Sequence, residues 1–173
     1  MANYWCKCNY RLSNSAAPDL VTWEVYSEKE WQDIIKLGVI DVDELPDPNI
    51  DVWRCPKCER FYVFKNNKVV KYYVLYDIYE INNKLISDNY KCKCGNIFDN
   101  KNLNYVRWRV YSDSEWWDIF TNDVRIFNPA DIPPPNIDIW SCSKCERVYV
   151  FKDNNLIKYY VAHDIKELRG EHD

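Results

Sequence analysis

Between Leu20 and Tyr26 the chain is rich in Val, Trp, Thr and Tyr, a composition that predicts a β-strand. The pattern then changes period. Ser27-x-x-Glu30 is a capping box, and Trp31, Ile34 and Ile35 fall on one stripe, which predicts a helix over Glu28–Leu37 closed by Gly38. After a loop carrying Pro46 and Pro48, strand patterns return at Ile50–Arg54, Arg60–Lys65 and Lys68–Asp77. In the last of these Val70, Tyr72 and Val74 share one face, and Lys71, Tyr73 and Leu75 share the other. Asn66-Asn67 tolerates the positive φ that a tight hairpin demands. A short strand is also predicted at Tyr4–Cys8.

The whole pattern occurs twice. Asn49–Tyr79 aligns without gaps on Asn136–Lys166, and upstream Trp23, Tyr26 and Trp31 answer Trp108, Tyr111 and Trp116. The second capping box is Ser112-x-x-Glu115, ahead of a helix predicted from Asp113 to about Asn122 with Trp116, Ile119 and Phe120 as its stripe. The second hairpin turn is Asp153-Asn154, and the second proline loop carries Pro133, Pro134 and Pro135.

Each copy holds a C-x-C and, after a long insert, a C-x-x-C. The sets are Cys6, Cys8, Cys55 and Cys58, and Cys92, Cys94, Cys142 and Cys145, which uses all 8 cysteines. Two sulfur pairs closing on one point are what a tetrahedral zinc ion needs, so two structural Zn²⁺ per chain are expected. Four sulfurs leave no open coordination position, which argues against metal-assisted hydrolysis. Lys7, Lys57 and Arg60, with Lys93, Lys144 and Arg147, sit beside the sulfur-rich tracts and offset their charge. A copy of this size has little core, and a bound metal adds to it.

The expected fold class is therefore α+β: two tandem zinc-ribbon-like units, each a small antiparallel sheet with one helix, packed as a pseudo-dimer. The units span residues 1–79 and 90–166, with a linker at 80–89 and a tail at 167–173.

Composition narrows the function. The chain has 173 residues, a net charge of −4 and 16% aromatics. No polybasic block is present, which weighs against indiscriminate nucleic-acid binding. The start MANYWCKC has no apolar leader core, and no long apolar run exists. A cytoplasmic location with reduced thiols is expected. His163 and His172 are the sole histidines, and His163 answers Tyr76 in the other copy, so no catalytic set stands out and a non-enzymatic protein is expected.

Positions where the copies differ are the candidates for binding. Trp117 answers Gln32, and Arg109 answers Glu24, a charge reversal. Arg54 answers Ser141. Aromatic Phe61, Tyr62 and Phe64 beside Arg60 and Lys65 could stack nucleobases, which keeps a nucleic-acid-associated accessory role as the alternative.

The combination C-K-C-G, S-x-x-E-W and W-x-C-x-x-C-x-R-x-Y-V-F resembles small, uncharacterised bacterial zinc-ribbon proteins with four cysteine ligands, here duplicated. Cys92, Cys94, Gly95, Trp140, Cys142, Cys145 and Arg147 carry the match, and Asn9 departs from it where glycine is expected. The resemblance implies an immunity- or inhibitor-like protein that binds a partner, and the acidic balance suits a basic partner such as a nuclease toxin.

Overall fold

The computed structural model describes residues 3–15, 21–76, 90–98, 105–120, 125–153 and 155–164. The predicted strand start at Leu20, the strand end at Asp77, the helix end at Asn122, the turn residue Asn154, the linker and the tail lie outside these residues.

The first copy contributes β3 (Thr22–Ser27), β5 (Asp51–Arg54), β6 (Phe61–Lys65) and β7 (Lys68–Tyr76). The second contributes β10 (Tyr105–Ser112), β12 (Asp138–Cys142), β13 (Val148–Lys152) and β14 (Asn155–Asp164). Each copy pairs its strands in antiparallel sequence. The two sets then join edge to edge, β7 on β14 and β3 on β10, into one closed barrel of 8 strands. The expectation of two separate α+β units, each with its own sheet, is overturned by this closure. Each four-stranded set ends in two edges whose backbone groups need partners, and the other copy supplies both.

The registers reveal a pseudo-twofold axis. Val25 pairs with its own counterpart Val110 at one seam, and Val74 pairs with its counterpart Val161 at the other. Around them the exchange is reciprocal: Tyr73 faces Ala162 while Tyr160 faces Leu75. Both seams are thus isologous contacts within one chain.

Much of the barrel's outer face is covered as well as its lumen, so the strands alternate poorly in polarity. Inward lie Val25, Val52, Val110, Ile139, Val150 and Tyr160. Outward, Trp53, Tyr62, Phe64 and Tyr72 are covered by the hairpin of β1 (Asn3–Trp5) and β2 (Arg11–Ser13). Tyr149, Phe151 and Tyr159 lie in the same way under β8 (Tyr90–Lys91) and β9 (Ile97–Phe98).

The helices α1 (Glu28–Ile35) and α2 (Asp113–Phe120) start where their capping boxes predict and lie across the β3–β10 seam. Ser27 Oγ accepts from the Glu30 backbone at 3.2 Å, and Glu30 accepts in return from the Ser27 backbone at 2.7 Å. Trp31 and Trp116 pack on Tyr26 and Tyr111, which come from different copies. The tyrosine hydroxyls donate to the carbonyls of Pro46 and Pro133, at 3.1 and 3.0 Å, and so fix the two proline loops. A two-stranded ribbon of β4 (Ile40–Asp41) and β11 (Ile126–Phe127) adds a further bridge between the copies.

Candidate metal centres

Each cysteine pair sits on a tight turn held by its own backbone. Cys6 N–H donates to Tyr10 O at 2.9 Å and Asn9 N–H donates to Cys6 O at 2.8 Å. Cys92 repeats this with Asn96 and Gly95, and Cys55 and Cys142 repeat it with Arg60 and Glu59 and with Arg147 and Glu146. The residue that closes each turn has positive φ: Asn9 at 61°, Gly95 at 88°, Glu59 at 60° and Glu146 at 56°. Asn9 therefore adopts the left-handed conformation glycine takes in the other copy, as its short polar side chain permits.

These turns bring the sulfurs together. Cys6 Sγ lies 3.4 Å from Cys58 Sγ and 3.4 Å from Cys8 Sγ, and Cys8 lies 3.6 Å from Cys55. In the second copy Cys92 is 3.5 Å from Cys145, Cys94 is 3.4 Å from Cys92, and Cys94 is 3.7 Å from Cys142. Four sulfurs at about 2.3 Å from a common cation stand about 3.8 Å apart in a tetrahedron, whereas a disulfide needs about 2.05 Å. The donor set, its spacing and its half-buried setting fit a thiophilic cation, and both four-cysteine groups could hold one.

Groups around the sulfurs complete each site. The Tyr62 hydroxyl donates to Cys6 Sγ at 3.1 Å and accepts from the Lys7 backbone N–H at 3.1 Å. Tyr149 stands between Cys92, at 3.2 Å, and the Lys93 backbone, at 3.1 Å. Arg60 and Arg147 each donate from Nη1, at 3.3 Å, to Cys58 and Cys145. The second site adds Asn96, whose side-chain amide donates to Cys142 at 3.4 Å. Lys7 and Lys93 direct their ammonium groups elsewhere, to the hydroxyls of Tyr72 and Tyr159. Lys57 and Lys144 are both exposed, and it is their backbone groups, not their ammonium groups, that hydrogen-bond to Cys55 and Cys142. The tyrosines' bonds to the sulfurs were not expected from the sequence, although each is four residues past its last cysteine and identical in both copies; Tyr62 stood there only as an aromatic that could stack nucleobases.

Burial pushes the Cys6 thiol up to about 12 and raises Cys92 as well. Burial also acts to raise Cys58, but the Arg60 backbone and the neighbouring thiols draw it down to about 7. Cys142, against the same burial, is drawn down to about 6, chiefly by the backbone of Cys145 and Lys144 and by Asn96. Each cluster thus combines a ready thiolate with a thiol whose proton a cation must displace.

One family model matches the chain twice, over residues 2–83 and 88–165, and its description is a domain of unknown function. The chain belongs to the DUF8617 family. No curated protein and no solved structure is significantly similar to it. The double match and the two four-cysteine groups together establish a tandem duplication in which each DUF8617 copy carries one potential metal centre.

The other predicted residues of this DUF8617 protein lie away from the sulfurs. Trp117 is on α2 and 47% exposed. Arg109, on β10, reaches across the seam, with Nε 3.5 Å from Glu28 and its guanidinium 5.2 Å above the Trp31 ring. His163 stacks on Tyr72, with ring centroids 5.2 Å apart. Among the described residues no helix is long and apolar enough to cross a membrane.

Proposed function

We propose that this protein is a non-enzymatic binding module, held together by two structural zinc ions, that docks a basic protein partner as an immunity or inhibitor protein docks a bacterial toxin. The observation that carries the reading is the face made by the two helices and their loops. There α2 and the proline loop flank a groove of about 510 Å³, floored by Ile119, Phe120, Phe127 and Ile132 and rimmed by Glu115, Asp118 and Asp131. Asp41, Asp43 and Glu44, around the short 3-10 turn after β4, add acidic groups on the neighbouring copy. Trp117 projects from the same helix as the groove, the kind of aromatic anchor that dominates interfaces. Saturated sulfur coordination supports a structural rather than catalytic metal.

The nucleic-acid alternative rested on aromatics that the barrel uses internally. Tyr62 and Phe64 are buried beneath the hairpin, Phe61 packs inside the barrel, and Arg60 donates to a ligand sulfur. The test is reconstitution of a stoichiometric complex between the zinc-loaded chain and a partner captured from its native host. Trp117→Ala is expected to weaken that complex at least tenfold without changing the circular dichroism. A partner that is an oligonucleotide, bound in a strongly salt-dependent manner, would replace the reading with the accessory one.

A further inference from the structure

The pseudo-twofold barrel is filled unequally. In the first copy Arg54 and Phe61 are cross-strand partners. Phe61 packs edge-on against Trp23 at 5.5 Å and Tyr160 at 4.9 Å. Arg54 lies over the Trp23 ring at 5.5 Å and is paired with Glu59 at 3.2 Å. The equivalent cross-strand pair in the second copy is Ser141 and Val148. Both substitutions are large to small, and they face each other. Trp108, the counterpart of Trp23, instead donates from Nε1 to Ser141 Oγ at 2.8 Å.

The volume missing from the second copy appears as a void. A cavity of about 100 Å³ lies within the barrel, and Ser141, Val148 and Trp108 line it beside Val25, Val110 and Ile139. Phe61, Val63, Tyr73 and Tyr160 also line it, so the wall is apolar apart from Ser141 and the edges of the two tyrosines. Ile50 and Trp108 also border an external depression of about 400 Å³ edged by Lys29, Glu30 and Asn49, so the same two side chains stand between the lumen and solvent.

We propose that this void is a binding site for a small uncharged molecule built on one apolar ring, with a hydroxyl directed at Ser141. The chemistry follows from the lining. An apolar space of this scale is poorly suited to water, and an engineered cavity of about 150 Å³ takes up benzene. A charged group finds no compensating charge among Val25, Val110, Ile139 and Val148. Ser141 already accepts from Trp108, and a serine hydroxyl keeps a proton to donate and a further lone pair. The first copy cannot offer such a site because Phe61 and Arg54 occupy the equivalent space. The cavity shares no lining residue with the groove of the docking face.

The experiment titrates benzene and phenol into the metal-loaded full chain, following methyl NMR shifts and the melting temperature. Saturable shifts at Val25, Val110 and Val148, with a melting temperature that rises with ligand concentration, are expected. Val148→Phe restores the plug of the first copy and should lower the affinity of both probes at least tenfold. Ser141→Ala should weaken phenol by about fivefold while leaving benzene unchanged. If Val148→Phe does not fold, Val148→Ala should enlarge the site and admit toluene more tightly than the parent chain does. Shifts confined to other surfaces, the absence of saturation by either probe, or binding unaltered by a folded Val148→Phe would each overturn the proposal.

Discussion

The hydroxyl of Tyr62 both donates to the Cys6 sulfur and accepts from the backbone of the turn that carries Cys6 and Cys8. Such partners orient ligands and tune the charge they present to the metal. Tyr62→Phe keeps the ring, and with it the stacking on Tyr72 and the contact with Tyr4. It should lower affinity at the first site by about tenfold, measured by competition with a chromogenic chelator, while the far-ultraviolet spectrum is unchanged. Tyr149→Phe should do the same at the second site. The cysteines, the hairpin turns and Arg60 were all legible in the sequence, because spacing and turn chemistry are local. The tyrosine–sulfur bonds were not, because they join residues 56 and 57 apart.

At the scale of elements, the helices depend on their caps. Burial acts to raise the Glu30 carboxyl, but hydrogen bonds from Ser27 and Asn49 prevail and hold it below its ordinary value. A carboxyl lowered on folding contributes stability that is complete above its unfolded value, near 4.3, and is lost as pH falls through the lowered folded value. Glu30→Gln should therefore flatten the acid limb of the stability curve and cost about 1 kcal/mol at neutral pH, read from urea melts between about pH 3 and 7. The strands contain a second device. Glu59, immediately after Cys58, pairs across the β7–β14 seam with Lys158, and its counterpart Glu146 pairs with Lys71 at 2.5 Å. Each C-x-x-C turn is thereby tied to the last strand of the other copy. These pairs are partly exposed, so Lys71→Ala should cost under about 1 kcal/mol. Lys158→Ala should cost still less than its contacts imply, because Arg54 remains beside Glu59. A double-mutant cycle with each glutamate checks both values.

At the scale of the molecule, the repeat was plain in the sequence and the barrel was not. A self-alignment shows that two segments share a fold, but it cannot show that their edges pair with each other, because the information lies in registers such as Val25 with Val110. The isologous seams make a prediction about the copies taken singly. Either half alone exposes two long apolar edges, so each should dimerise to rebuild a true twofold barrel rather than persist as a monomer. The two halves should not do so equally. Arg109 of the second copy meets Glu28 of the first across the β3–β10 seam. In a dimer of second copies the residue answering Glu28 is Asp113, which preserves the opposite charge. In a dimer of first copies Glu24 takes the place of Arg109 and meets Glu28, two like charges. A metal-loaded fragment of residues 88–173 should therefore dimerise at least tenfold more tightly than one of residues 1–87 in sedimentation equilibrium at low salt. The gap should narrow as salt screens these partly exposed charges. Stable, folded monomers of either half would show that closure is incidental to folding, whereas a gap that vanishes at low salt would remove Arg109 as the residue that sets the second copy apart at this seam.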